Sequence, residues 1–329
     1  MKKSWKILCF VLVLPILTAL YAGCGSSQPA VKKYPSNPIN VIIAFGAGGQ
    51  TDVGARLLLP LVEKELGVAM PVINKAGAGG WLGWADLFNA NADGYTVGYI
   101  NTPNLQTGYL NPSAKRNKSL DDFTVIANHV LDYGAIGIRK DDKRFKNIKE
   151  MIEYAKTHEL TASTTGIASD DHIAILKLNK MYGTKIVAVH MKTSSDGKVG
   201  LLGGHIDLYF SNVSEISTAH NDKEIIAAAI MAPERSKYMP DVTTLDEAGY
   251  PGVHSWSARG LAVKKGVSKE QVDKLVAAFE KGMTNPEHIK KMDEMGLAVK
   301  FMKGDEYLNF LKKEEEAVKD LFDLLEWKK

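Results

Sequence analysis

Two short stretches of this 329-residue chain carry the residue types needed to capture an anion. The first is Ile39-Asn-Val-Ile-Ile-Ala-Phe-Gly-Ala-Gly-Gly-Gln-Thr-Asp52, an apolar run that stops at glycines. It restarts as a helical pattern with Val53, Leu57, Leu58, Leu61 and Val62 on one face. A strand feeding a Gly-rich turn aims the free N–H groups and positive dipole end of the next helix at whatever stands before the turn. The second is Thr164-Thr-Gly166-Ile-Ala-Ser169-Asp-Asp-His172, again a strand end, a glycine, small hydroxyl residues and a helix start. Either loop alone also serves as a plain βα turn. A pair of them makes two jaws for one carboxylate.

Catalytic chemistry finds less support. Gly46-Ala-Gly48-Gly holds two of the three glycines of a dinucleotide fingerprint, but Glu63 and Glu65 come too early, and on a helix, to meet a ribose. Neither a P-loop lysine nor a Gly-x-Ser-x-Gly elbow is present. The eight histidines show no metal-ligand spacing, and the doublets Asp121-Asp122, Asp141-Asp142 and Asp170-Asp171 suit helix starts. We therefore expect no catalytic residue, no metal and no cofactor. The competing readings are an exported α/β enzyme using the same cleft and a sensor that reports to a membrane kinase.

Elements must hold these loops. Met-Lys-Lys-Ser-Trp-Lys followed by an apolar stretch from Ile7 to Leu20 reads as an export leader over residues 1–23. Small residues before Cys24 resemble the lipobox of bacterial lipoproteins, with Tyr21 where that pattern prefers Leu, so Cys24 is the expected lipidation site. Without the leader, which carries Lys2, Lys3 and Lys6 and no acid, 38 basic residues face 38 acidic ones. A neutral body has no electrostatic reason to bind nucleic acid. Since Cys9 and Cys24 are the two cysteines, the folded part has no thiol for disulfides or thiolate metal sites.

Residues 24–36, rich in Ser, Gln and Pro, read as a tether. Beyond it the pattern is strand and helix in alternation: strands at Ile39 to Ala44, Met70 to Asn74 and Tyr95 to Ile100, with helices after Asp52 and over Trp81 to Asn89. A second alternation has strands at 135–138, 160–164, 186–190, 206–210 and 225–231, with helices at 148–156, 170–181, 198–202 and 213–220. Parallel sheets with right-handed crossovers follow, each with its first strand central in the order 2-1-3. Ligands in such sheets sit beyond the strand ends where order reverses. That places Phe45, Thr102 and Asn104 beside the first jaw, and Lys192 to Ser195 with Ser211-Asn212 beside the second. From Pro233 the chain reads as loops, then helices at 268–283, 286–295 and 305–327, the last laying an apolar stripe on the first lobe. No repeat period is present.

The ordered pieces Phe45-Gly-Ala-Gly-Gly-Gln-Thr-Asp52, Asn74-Lys-Ala-Gly-Ala-Gly-Gly80, Asp93-Gly-Tyr-Thr96, Leu120-Asp-Asp-Phe-Thr124, Leu202-Gly-Gly-His-Ile-Asp207 and Thr244-Leu-Asp-Glu-Ala-Gly-Tyr250 resemble the substrate-binding proteins of tripartite tricarboxylate transporters, the Bug or TctC family. The resemblance implies a type II periplasmic-binding-protein fold of two α/β lobes around a ligand cleft. It implies lobe one over 37–132 plus 232–329, lobe two over 133–231, and crossings near Asn128 to Tyr133 and Met231 to Glu234. The implied ligand is a small organic acid, whether a di- or tricarboxylate, an aromatic acid or an acidic amino acid. A monomer would deliver it to membrane permease subunits, working in the periplasm or on the outer face of the cell membrane.

Carried over residue by residue, Ala47, Gly48, Gly49, Thr51 and Asp52 face Thr165, Gly166 and Ser169 across the cleft, with His172 orienting the second loop. The chain departs from the family at His190-Met-Lys-Thr-Ser-Ser195, where Pro-Tyr-Lys-Gly is common. Pro60 should kink the first helix. Trp81 and Trp84 read as helix packing ahead of an aromatic wall for the ligand, and Lys192 and Arg259 as solvated surface cations ahead of charges offered to the ligand. Asp52 would repel an anion, so its carboxylate is expected to cap the loop, or to meet the ligand itself if that ligand carries an ammonium.

Overall fold

The computed structural model describes residues 33–327. The leader, Cys24 and most of the tether lie outside the described residues.

Strand β1 (Asn40–Ile43) is central to lobe one, parallel to β2 (Val72–Asn74) on one side and β3 (Thr96–Thr102) on the other. Helices α1 (Gln50–Leu66) and α2 (Trp81–Asn89) are the crossovers, so the expected 2-1-3 order is present. α1 runs unbroken through Pro60 and buries Ala55, Leu58, Leu59 and Val62. Trp84 is buried and donates its Nε1–H to Tyr99 O at 3.0 Å, so α2 spends that aromatic on packing. A short helix, α3 (Asn104–Leu110), follows β3.

The long strand β4 (Phe123–Arg139) belongs to both lobes. Its first part, to Tyr133, pairs antiparallel with β9 (Trp256–Lys264) and, around Asn128, with β10 (Val299–Lys303). From Gly134 onward it pairs with β7 (Leu208–Asn212) and β8 (Ile225–Met231). In lobe two, β5 (Leu160–Thr164) lies parallel to both β6 (Ile186–His190) and β7, again in 2-1-3 order. The helices there are α4 (Ile148–Thr157), α5 (Asp170–Tyr182), α6 (Ser194–Leu202) and α7 (Val213–Asn221).

The return to lobe one comes later than the expected Met231 to Glu234. Leu245, Ala248 and Val253 bury their side chains with Ile136, Leu160 and Leu208 in the lobe-two core. Ser255 then donates its N–H to Met231 O and accepts from Gly134 N, which lays the second crossing beside β4. α8 (Lys269–Met283) and α9 (Pro286–Glu294) follow β9, and α10 (Gly304–Lys319) ends before the expected Trp327. It buries Tyr307 and Leu311 with Trp84 and Phe123 of lobe one.

Gly260 makes that packing possible. A Cβ there would lie 2.7 Å from Ala127 O and against the Tyr307 hydroxyl, which is buried without a hydrogen-bond partner among the described residues. We predict that Gly260→Ala lowers stability by about 1–3 kcal/mol through overpacking, read from urea unfolding midpoints. Tyr307→Phe should hold stability or raise it, because it removes an unsatisfied hydroxyl without changing shape; a loss with Tyr307→Phe would mean that the hydroxyl is paired.

Candidate functional site

Across the gap between the lobes the loop after β1 meets the loop after β6, and the loop after β5 meets the glycine turn before α2. A Cβ on Gly46 would stand 2.8 Å from Thr193 Cγ2, and one on Gly166 would stand 3.6 Å from Gly79 Cα. Gln50 Nε2 donates to Ser214 O across the same gap at 3.3 Å. The space left is a cavity of about 50 Å³. Its wall includes the expected Phe45, Gly49, Thr51, Asn104, Thr165 and Asn212, together with Gln50, Asn101, Asp170, Glu215 and Arg259.

The first jaw works as a helix end. α1 has Gly49 at its N-cap with no side-chain hydrogen bond, so the N–H groups of Gln50 and Thr51 are without the usual cap. Gly48, at φ +78°, gives its N–H to Asp52 Oδ2 at 3.0 Å. Asp52 also accepts from Arg56 Nε at 2.9 Å and Asn74 Nδ2 at 3.0 Å. Burial works to raise the Asp52 pKa, and these bonds outweigh it, so the carboxyl sits below its ordinary value. Asp52 thus caps the loop. Neither it nor Ala47 or Gly48 lines the cavity, because the Gly48 N–H is spent inside the loop.

The second jaw is built differently from the first. Ser169 Oγ accepts the His172 N–H at 3.3 Å, His172 Nδ1 accepts the Ala168 N–H at 2.9 Å, and the Ser169 N–H bonds Gly166 O at 3.3 Å. Burial, with His190 adding to it, pulls the His172 pKa down to about 4, which keeps the ring neutral as an acceptor. With its backbone donors committed, this loop contributes Thr165 and the Asp170 carboxylate. Gly166, Ser169 and His172 stand behind the wall, as do Thr102, buried on β3 against β9, and Ser211, whose hydroxyl bonds Ser194 and Glu215.

Arg259 corrects the surface reading most sharply. It lies on β9, is 4% exposed and lines the cavity. Its Nη2 donates to Asn212 Oδ1 at 3.0 Å, and its Nη1 sits 3.1 Å from Asp132 Oδ2 without a hydrogen aligned on that oxygen. Asp132 also accepts from Ser214 Oγ at 2.5 Å; burial pushes its pKa up to about 6 against the pull of Arg259 and Ser214. Asn212 Nδ2 reaches Asp170 Oδ2 at 3.1 Å. Asp171 beside it is driven well up by burial and by the charges of Asp170 and Glu215. Lys192, exposed as expected, lines the rim. Among the described residues no three His, Cys, Asp or Glu side chains are grouped to hold a metal.

Since Asp52 holds the loop from behind, Asp52→Ala should cost about 1–3 kcal/mol of stability by stranding the donors of Gly48 and Asn74. Calorimetric affinities for succinate and L-aspartate should fall by the same factor. A loss confined to aspartate would place Asp52 against the ligand.

A family model described as the tripartite tricarboxylate transporter family receptor matches residues 55–326. A Cupriavidus necator protein known as the UPF0065 protein in the gbd 5′ region is 28% identical over 310 residues, covering 92% of this chain and 93% of that one. The structure of the periplasmic binding protein BugD superposes with a TM-score of 0.82 at 26% identity, over 90% of this chain and 99% of that chain. MatC of Rhodopseudomonas palustris, solved with bound malate, shares the fold at a TM-score of 0.79 and 24% identity, over 89% and 100% of the two chains. The chain belongs to the tripartite tricarboxylate transporter family of receptors, whose fold it shares.

Proposed function

We propose that this receptor is exported, takes a small organic carboxylate into the cleft between its lobes and passes it to the membrane subunits of a tripartite tricarboxylate-type permease. The observation that carries the reading is the uncapped N-terminus of α1, opening with Arg259 into a cavity that both lobes enclose. Backbone N–H groups at a helix end and a desolvated guanidinium both form charge-assisted bonds to carboxylate oxygens. Membership of a receptor family and the absence of a nucleophile–base pair from the motifs argue against turnover. The leader and Cys24 supply the sequence argument for export and a lipid tether.

Closure follows from the two adjacent crossings. β4 changes partners between Tyr133 and Gly134, and residues 255–257 run beside it. Rotation of one lobe against the other about these two segments opens the cavity without breaking either core. A ligand that touches both jaws binds the closed form better and shifts the population toward it.

The reading is tested by a thermal-shift and tryptophan-fluorescence screen of the leaderless protein against di- and tricarboxylates, aromatic acids and amino acids. A ligand at a hundred times its Kd should add about 2.7 kcal/mol of stability and raise the Tm by several degrees. If no organic acid at millimolar concentration moves the Tm, the reading fails. Gly46→Val should hold the lobes apart at Thr193 and weaken binding at least tenfold with the unliganded Tm unchanged; unaltered affinity would put the site elsewhere.

A further inference from the structure

The wall of the cavity has a charge pattern that suits a dianion poorly. Asp170 and Glu215 line it, and Asp132 stands directly behind Arg259. Against these three carboxylates the wall sets two cations, Arg259 and Lys192. Asp170 is 6% exposed and accepts from the Asn212 amide, so among the described residues its carboxylate touches no cation and feels Arg259 only across that amide. A second dianion's worth of charge would add repulsion in a partly desolvated space, where charges interact strongly. A ligand of no net charge adds none.

Unpaired atoms on the same wall point the same way. Asn101 is 4% exposed and gives its Nδ2–H to Thr51 Oγ1 at 3.0 Å, while its Oδ1 has no donor among the described residues. Gln50 is oriented by its bond to Ser214 O, since that carbonyl can only accept, and its buried Oε1 is likewise without a donor. Buried carbonyl oxygens normally have partners, and a ligand N–H would satisfy these. Arg259 Nη1 is the complementary case, a buried donor without an aligned acceptor. Oxygens that lack an N–H donor and a guanidinium that lacks an acceptor therefore face one cavity.

We propose that the cleft selects a small zwitterionic amino acid over an organic dianion, its carboxylate on the α1 N-terminus and Arg259 and its ammonium on Asp170, Glu215 and Asn101 Oδ1. This rests on the solute-binding reading and names the substrate class. The cavity of about 50 Å³ has room for about four waters, which favours a small ligand over a bulky one. Asp52, already committed to its own loop, takes no part. Glu215 accepts the Asn212 N–H at 3.2 Å as well as the Ser211 hydroxyl, which holds its carboxylate in place at the wall.

The test is titration calorimetry of the leaderless protein with matched probes that differ by the amine: L-alanine against propionate, and L-aspartate against succinate. Each amino acid should bind at least tenfold tighter than its partner. Asp170→Asn and Glu215→Gln, which keep shape and one acceptor oxygen while removing the charge, should each weaken L-alanine tenfold or more and strengthen succinate. Unliganded melting curves verify that both variants fold, and half-exposed Glu215 supplies the readout should Asp170→Asn not fold. Succinate binding as tightly as aspartate, or alanine affinity unmoved in the folded variants, overturns the inference and leaves the receptor reading standing. If neither pair nor any other organic acid binds, both fall.

Discussion

The buried contact between Arg259 and Asp132 joins the parts of this molecule that a ligand must feel. Asp132 stands on β4 just before that strand changes lobes, and Arg259 on the strand that crosses back. Around them Asn212 and Ser214, at the start of α7 in lobe two, bond Asp132, Asp170 and the guanidinium. Taking both charges out of water is costly, and removing one would leave the other buried and uncompensated. The pair thus ties the crossing segments to the wall of the cavity.

From that network follows an asymmetry between the jaws. The first jaw presents backbone: the first turn of α1, held in place by Asp52 from the side away from the cavity. The second jaw presents side chains, because Ser169 and His172 bind N–H groups of their own loop. Two βα units with the same strand order and similar small-residue loops therefore do different work. What separates them is the side chain at the cap, glycine in one and serine in the other.

This difference marks how far the sequence could be read. Strands 160–164, 186–190 and 225–231 and helix Trp81–Asn89 stand where their local patterns put them, since short apolar runs closed by turn residues and amphipathic helices announce themselves over a few residues. β9 and β10 do not. Trp-Ser-Ala-Arg-Gly-Leu-Ala-Val-Lys has an arginine and a glycine in its middle, and becomes a strand only because β3 and β4 flank it. Pairing of that kind lies in the partners rather than in the segment. Without β9 there was no way to see Arg259 as buried, so an arginine in an apparent loop read as surface. The glycine loop itself was legible as a helix start, but which of its N–H groups Asp52 consumes is a matter of three-dimensional geometry.

Family and site consequently carry different kinds of information. The motifs that carry the resemblance are mainly turn glycines and strand ends, which build two lobes and let them approach, as Gly46 does Thr193 and Gly166 does Gly79. They fix where a ligand sits. What the ligand must be is written instead in Asp170, Glu215, Asn101 and Arg259, side chains on four separate elements or loops that only the fold brings to one wall. A shared fold can therefore keep its carboxylate-binding helix end while the opposite wall changes the charge it accepts.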